Sequence, residues 1–308
     1  MKKYLFLILS LFIFVFTLAS CNNKETKDDY AITVTAPTGA PSFALSTLAV
    51  NDKKSYKFIE PDAIGAAFSK NEFDFVVAPI NAGAKLYKAK KSTYKLAAVL
   101  TWGNLYFASQ IENFTLETIN GKELTLFGEG TINASIANYI LTSKNITPSN
   151  IKYLAGANNT QSTLVDDENA IVMTAEPALT GAKAQKPSIS SVSVQDLFKE
   201  ISGNAEFAQA GIFVKESTAK DHKEVVKDYL AKVKDAADNI INNIDNVAKA
   251  CVELEFVKAE GVAKKGIPGC NIKFKAAKDA KSLVEATANI DLTQFGGGLP
   301  SEDFYFEF

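Results

Sequence analysis

The sequence predicts an α/β protein of two lobes, each a mostly parallel sheet flanked by helices, with two hinge crossings between them. Three observations carry that prediction. Short β-rich runs alternate with helical stretches from residue 31 onward, the pattern of sheets built by right-handed crossovers. The alternation runs twice, once before and once after Trp102-Gly103-Asn104. A strand-like Gly211-Ile212-Phe213-Val214 then returns toward the first set, and mostly helical chain follows it.

In order, 32–36 reads as a strand, Thr38-Gly39-Ala40-Pro41 as a turn, and 42–50 as a helix. Pro41 suits a first helical turn, where its missing N–H would be unpaired anyway. A strand over 56–59, a helix near 63–69, a strand over 73–78, a helix over 81–90 and a strand over 95–101 complete the first set. The second holds extended chain at 105–109, a strand at 123–127 and an amphipathic helix over 131–143. Strands at 151–154 and 170–174 follow, with a helix between them and another over 177–184. Helices over 220–234, 236–258 and 276–288 have no strands of their own to cover, so they are placed against the first lobe. The expected organisation is therefore 31–103 with 212–308 as one lobe and 104–211 as the other.

Ahead of the fold, Met1-Lys2-Lys3 is positively charged and 4–19 is almost unbroken apolar chain. That stretch is shorter than the roughly 20 residues of a membrane span and reads as an export signal over 1–20. The residues Leu18-Ala19-Ser20-Cys21 resemble a bacterial lipobox, which implies cleavage before Cys21 and acylation there with fatty chains such as palmitate. Two or three chains hold a protein stably on a bilayer, where one holds it only marginally. The resemblance thus places the chain on the outer face of the cytoplasmic membrane, with 21–30 as a disordered tether.

Removing residues 1–20 of the 308 leaves 288, enough for one large domain or two modest ones. Losing Lys2 and Lys3 takes the formal charge from −2 to −4, which gives no basis for binding nucleic acid. All 33 basic residues are lysine, and His222 is the single histidine. No guanidinium fork is therefore present to clamp a carboxylate or phosphate. A histidine metal cluster is excluded as well, and imidazole acid–base catalysis nearly so. His222 itself, within Lys220-Asp221-His222-Lys223, reads as a solvated helix residue. Cys251 and Cys270 enclose 18 residues, and a disulfide between them would contribute on the order of 3 kcal/mol. Two buried free thiols are the alternative. Neither has a nearby His in sequence, which argues against a catalytic thiol.

Ligands of two-lobed α/β proteins settle where the carboxyl ends of both sets of strands face one another. Thr38-Gly39-Ala40-Pro41-Ser42 and Gly128-Glu129-Gly130-Thr131-Ile132-Asn133 both join a strand end to a helix start there, with free N–H groups that suit an acceptor or anion.

Five segments then resemble a known family: Ala36-Pro37-Thr38-Gly39-Ala40-Pro41, Ala78-Pro79-Ile80-Asn81-Ala82-Gly83-Ala84-Lys85-Leu86-Tyr87, Trp102-Gly103-Asn104-Leu105-Tyr106, Ala175-Glu176-Pro177-Ala178-Leu179, and the tail from Gly296 to Tyr305. In that order they are similar to the solute-binding lipoproteins of bacterial ABC importers with the type II periplasmic-binding fold, and within these to the nitrate, sulfonate and thiamine-precursor binders. The resemblance implies a ligand held between lobes that close by hinge motion, docking onto ABC permease subunits, and no cofactor or reaction. Carried over residue by residue, it implies ligand contacts at Thr38, Gly39, Ala40, Pro41, Asn81, Trp102, Asn104, Gly130, Thr131 and Glu176. To these the sequence adds Tyr106 as a second aromatic wall and Gln209 just before the returning strand. A monomer is expected. Trp102, Tyr106 and the missing arginine favour a small neutral or weakly charged heterocycle, such as a vitamin or its pyrimidine precursor, over a sulfonate or similar anion. The other class of function for such a chain is a surface adhesin or sensory lipoprotein. An enzyme of the pyrimidine-building branch would need clustered His and Cys, which the sequence lacks.

Overall fold

Two mixed β-sheets organise the chain in a computed structural model that describes residues 29–308. The export segment, Cys21 and nearly all of the tether lie outside the described residues. Residues Ala31–Phe308 form one compact unit. Its first elements are β1 (Val34–Pro37), α1 (Ala40–Phe43), α2 (Ser46–Asn51), β2 (Tyr56–Ile59), α3 (Ile64–Lys70), β3 (Phe75–Pro79), α4 (Ile80–Lys88) and β4 (Tyr94–Thr101). The helix expected over 42–50 is split into α1 and α2. Its own serines account for the break, since Ser42 Oγ donates back to Pro37 O and Ser46 Oγ donates to Phe43 O at 3.0 Å. Such local side-chain bonds compete with the helical ladder.

The second sheet is built from β5 (Leu105–Ser109), β6 (Glu123–Phe127), β7 (Asn150–Leu154), β8 (Ile171–Ala175) and β9 (Ser190–Ser193), in the order β7-β6-β8-β5-β9. Helices α5 (Ile132–Ser143), α6 (Ala157–Asp166), α7 (Ala178–Gln185) and α8 (Val194–Ser202) accompany it. The chain returns as β10 (Ala210–Lys215), continues through α9 (Glu216–Asp221), α10 (Lys223–Asp238), α11 (Ile244–Glu253) and α12 (Glu260–Gly266), and ends with β11 (Ile272–Ala276) and α13 (Ala277–Ala288). The first sheet runs β11-β4-β10-β3-β1-β2. His222 stands in the break between α9 and α10 and not inside one helix.

Both sheets are mixed, with most strands in each running the same way, as expected, and a minority reversed. In the first, β1 pairs parallel with β2 and β3, but β10 runs antiparallel between β3 and β4, and β11 runs antiparallel along β4. In the second, β6 is parallel to β7 and β8, while β5 lies antiparallel between β8 and β9. For β5 and β10 the reason is the crossings: a strand that enters a sheet from the other half arrives at the edge where its neighbours end, and must run against them. The helical reading of the last hundred residues also needs correction, because β11 is a strand. It sits at a sheet edge, where Lys273 and Lys275 suit a strand flank open to solvent and blur the period-2 signal.

Packing joins what the sheets separate. One apolar cluster runs from Val76, Leu96 and Val99 of the first sheet through Trp102 and Leu105 to Leu124, Leu126 and Ile136 of the second half. At the centre of the first sheet, Gly211 lies so close to β4 that a Cβ there would stand 2.5 Å from Ala98 O. No helix among the described residues is long and apolar enough to cross a membrane.

The disulfide is not formed. Cys251 and Cys270 are free and fully buried, packed with Ala40, Phe43, Val247 and Ile267, and the Cys270 thiol donates to Gly266 O at 3.3 Å. Burial pushes the Cys251 thiol up to about 12 and that of Cys270 well above the usual range. A thiolate, the reactive form, is suppressed at both. In the Cys21→Ser protein, Ellman's reagent should therefore find neither thiol in the native state and both after denaturation without reductant; a chain that stays silent when denatured would contain the bridge.

Candidate functional site

Backbone pairing brings the ends of several strands to one place. In the first sheet β10 begins opposite the end of β3, with Ala210 beside Pro79. Gln209, just before it, accepts from Ile80 N at 3.1 Å through its carbonyl and donates its own N–H to Thr101 O at 3.0 Å. The exits of β3 and β4 and the second crossing are thus tied together next to Asn81. In the second sheet β5 begins opposite the end of β8, with Leu105 beside Ala175. There Glu176 N donates to Asn104 O at 3.0 Å, and Asn104 Nδ2 donates to Glu176 O at 2.9 Å. Only Trp102, Gly103 and Asn104 separate β4 from β5, so the two edges meet at this crossing.

Three side-chain oxygens at that meeting point are buried without a partner: Asn81 Oδ1, Asn104 Oδ1 and Gln209 Oε1. Their residues are 6%, 5% and 9% exposed. Each such orphan costs about 1–3 kcal/mol, which native proteins tolerate where the group has other work. The outward atom of two of them is set by what the other end of the amide does. Asn104 Nδ2 is engaged by Glu176 O, and Gln209 Nε2 donates to Asn133 Oδ1 at 3.1 Å. The free ends are therefore acceptors. A fourth buried orphan, Tyr305 Oη, lies elsewhere, beside Leu96 toward the start of β4.

Glu176 completes the group and is 8% exposed. Its Oε2 accepts from Thr180 N at 3.1 Å and its Oε1 from Thr180 Oγ1 at 3.0 Å, which leaves a lone pair on each oxygen. Burial raises its pKa above the ordinary carboxyl range, against those two hydrogen bonds and the distant charge of Lys183. Tyr106 stands nearby, its hydroxyl donating to Gly269 O at 3.3 Å; burial and the Glu176 charge push it up to about 12. Gly269 belongs to the segment after α12, and a Cβ on it would come within 2.9 Å of Glu176 Cγ. On another side Ser135 Oγ of α5 donates to Asp291 Oδ2 at 2.7 Å. The half built on the first sheet thus closes directly on the half built on the second.

The remaining expected residues divide. Thr38, Gly39, Ala40 and Pro41 follow β1, which is parallel to β3, so they lie at the same edge as Asn81. Thr38 N donates to Ile59 O at 3.0 Å, and Gly39 has φ 125°, a left-handed conformation that only glycine adopts freely. Because α1 is only four residues long, the expectation of an anion-binding helix start fails there; too few peptide dipoles add up. Gly130 is exposed and Thr131 half-buried at the start of α5, where Thr131 Oγ1 is engaged by Gly128 O at 2.6 Å. Trp102 is placed differently from its expected role as an aromatic wall. It is 1% exposed, its Nε1–H donates to Lys273 O at 2.8 Å and its backbone N–H to Asn271 O at 3.1 Å. It anchors the crossing as part of the core and offers no uncovered ring face.

One polar side chain of this region, Gln195, escaped the sequence reading, and Asn133 was read only as part of the turn before α5. Gln195 Oε1 accepts from Leu105 N at 2.8 Å and holds the start of β5, and Asn133 fixes Gln209. Both come from helical first turns, where Asn and Gln read as ordinary surface residues. One open pocket lies away from the crossing, between α2 and α10 beside Thr47 and Lys232; another borders it, lined by Ile240, Ile267, Asn271 and Lys273, the last two of which bond Trp102. Among the described residues no cluster of three or more His, Cys, Asp or Glu could hold a metal ion.

No protein-family model matches the sequence, and no curated protein does. Solved structures do resemble it. An ABC transporter structure from Parabacteroides distasonis superposes with a TM-score of 0.76 at 22% identity, over 91% of this chain and 99% of that one. The periplasmic aliphatic sulphonate binding protein SsuA from Escherichia coli gives 0.68 at 10% identity, over 90% and 92%. The Candida albicans CA3427 product, described as exhibiting the generic periplasmic binding protein fold, gives 0.56 at 12%, over 90% and 93%. At these identities the likeness shows the fold: this chain has the periplasmic-binding-protein fold.

Two outcomes follow from the site's geometry. Trp102→Ala should lower stability by about 3–5 kcal/mol in denaturant unfolding, as for a large core residue; unaltered stability would return Trp102 to the surface of the site. Glu176 binds its proton more tightly folded than unfolded, so stability falls as pH rises from the ordinary carboxyl range through its raised value. Glu176→Gln should remove that fall, with thermal midpoints from pH 4 to pH 8 as the measurement.

Proposed function

We propose that this chain is the solute-binding component of an ABC importer, a lipoprotein anchored through Cys21 outside the cytoplasmic membrane. It takes a small ligand between a lobe of 31–103 with 212–308 and a lobe of 104–211, and presents it to permease subunits. The observation that carries this reading is the convergence of Asn81, Asn104, Gln209 and Glu176, all buried, at the place where the two sheet edges meet. Buried unpartnered acceptors at a crossing between two halves are what a ligand would satisfy, and closure over it would exclude water. The fold is shared with proteins described as ABC-transporter and sulphonate-binding components, which supports the same role.

The ligand proposed is a small heterocycle, of the size and polarity of a vitamin or a pyrimidine precursor. Tyr106, half-buried beside Glu176, is its aromatic wall now that Trp102 is assigned to the core. No reaction is assigned, because the only histidine stands between α9 and α10 and both described thiols are buried and protonated.

Labelling of producing bacteria with radioactive palmitate should mark the wild-type chain in the membrane fraction. Cys21→Ser should lose the label and leave the membrane while keeping its fold by circular dichroism. Retention on the membrane without label would overturn the lipid anchor.

A further inference from the structure

The polarity of the unpartnered atoms says more than that something binds. All three orphans at the crossing are oxygens; Asn104 cannot present its NH2 group without breaking its bond to Glu176 O, and the NH2 group of Gln209 is taken up by Asn133 Oδ1. Beside them lies a buried carboxylate, Glu176, with no lysine among the described residues at ion-pairing distance. Lys183, whose charge acts on it, donates its ammonium to Ser191 Oγ at 2.8 Å. Four acceptor groups thus gather around the crossing, after β3, after β8 and at the two links themselves, and no guanidinium exists anywhere in the chain to offset them. An anion brought there would replace its hydration by oxygens of like polarity, a large desolvation cost without return. A ligand with N–H donors would satisfy four acceptors at once, and a protonated nitrogen would also gain the carboxylate's charge.

Resting on the solute-binding reading, we infer that the site selects a neutral or cationic compound bearing several N–H donors. Its most polar nitrogen lies on Glu176 and its other donors on the amide oxygens of Asn81, Asn104 and Gln209. Sulfonates, phosphates and carboxylates are refused. In this respect the chain departs from the protein described as a sulphonate binder whose fold it shares.

The test uses full-length protein in detergent, immobilised and washed with the sub-kilodalton fraction of yeast extract, the retained compounds being identified by mass spectrometry. Two variants accompany the wild type: Glu176→Gln, which keeps the shape of the side chain, and Asn81→Leu, which removes an orphan acceptor at similar volume. The expected result is a retained compound with amino or amide N–H groups and no anionic group, held 10- to 100-fold more weakly by either variant. The thermal midpoint of Asn81→Leu should hold or rise, since an unsatisfied buried atom is gone; a merely structural asparagine would lower it. Retention of a sulfonate, phosphate or carboxylate overturns the inference and leaves the solute-binding reading standing. An N–H donor compound held equally by both variants overturns it as well. No retained compound overturns both.

Discussion

Three residues between two sheets constrain everything else in this molecule. Thr101 ends β4 and Leu105 begins β5, so the edges of both sheets must lie within the reach of Trp102-Gly103-Asn104. The main chain secures both sides of that short span: Trp102 N–H to Asn271 O, Glu176 N–H to Asn104 O, and Gln209 N–H to Thr101 O. The indole of Trp102, bonded to Lys273 O and buried in the shared apolar cluster, wedges the crossing from the core side. A short, well-packed link of this kind lets strand ends from distant parts of the sequence form one site without a loop of their own.

That arrangement concentrates unfavourable terms at one place. Three orphan amide oxygens and a desolvated carboxylate stand together, while among the described residues Tyr305 Oη is the one other buried side-chain orphan, and a buried group such as Asp74 accepts from Thr33 N, Thr33 Oγ1 and Thr218 Oγ1. Local conflict inside an otherwise consistent fold is characteristic of functional sites. The halves nonetheless close on each other through direct bonds, Ser135 to Asp291 and Tyr106 to Gly269. Direct bonds between the halves and unsatisfied groups between them therefore coexist.

Much of the fold was legible in the residues. Strands at 56–59, 105–109 and 123–127 stand where alternation and β-branched runs put them, and the helix over 131–143 differs by one residue at its start. What escaped were elements whose signal depends on position in a sheet. Ser190–Ser193 is a serine-rich edge strand, and Ile272–Ala276 an edge strand with lysines; neither repeats a clear apolar alternation. The site was legible as a set of strand ends, because Gly, Pro and Asn mark such turns whatever the tertiary structure. The fate of Trp102 was not, since an indole at a crossing can face a ligand or the core with the same neighbours in sequence.

Composition and pattern by themselves determined the α/β class, the two sets of strands and the lack of arginine that removes bidentate anion clamps; Asn81, Asn104 and Glu176 came from the family resemblance, and Gln209 from its place before the returning strand. Tertiary structure decided that both sheets are mixed, that Cys251 and Cys270 remain apart as thiols, and that the free ends of Asn104 and Gln209 are oxygens. The physical reason is common to all three. Strand direction, thiol pairing and amide orientation are set by which partner lies across a gap in space, and one-dimensional spacing carries no record of that partner.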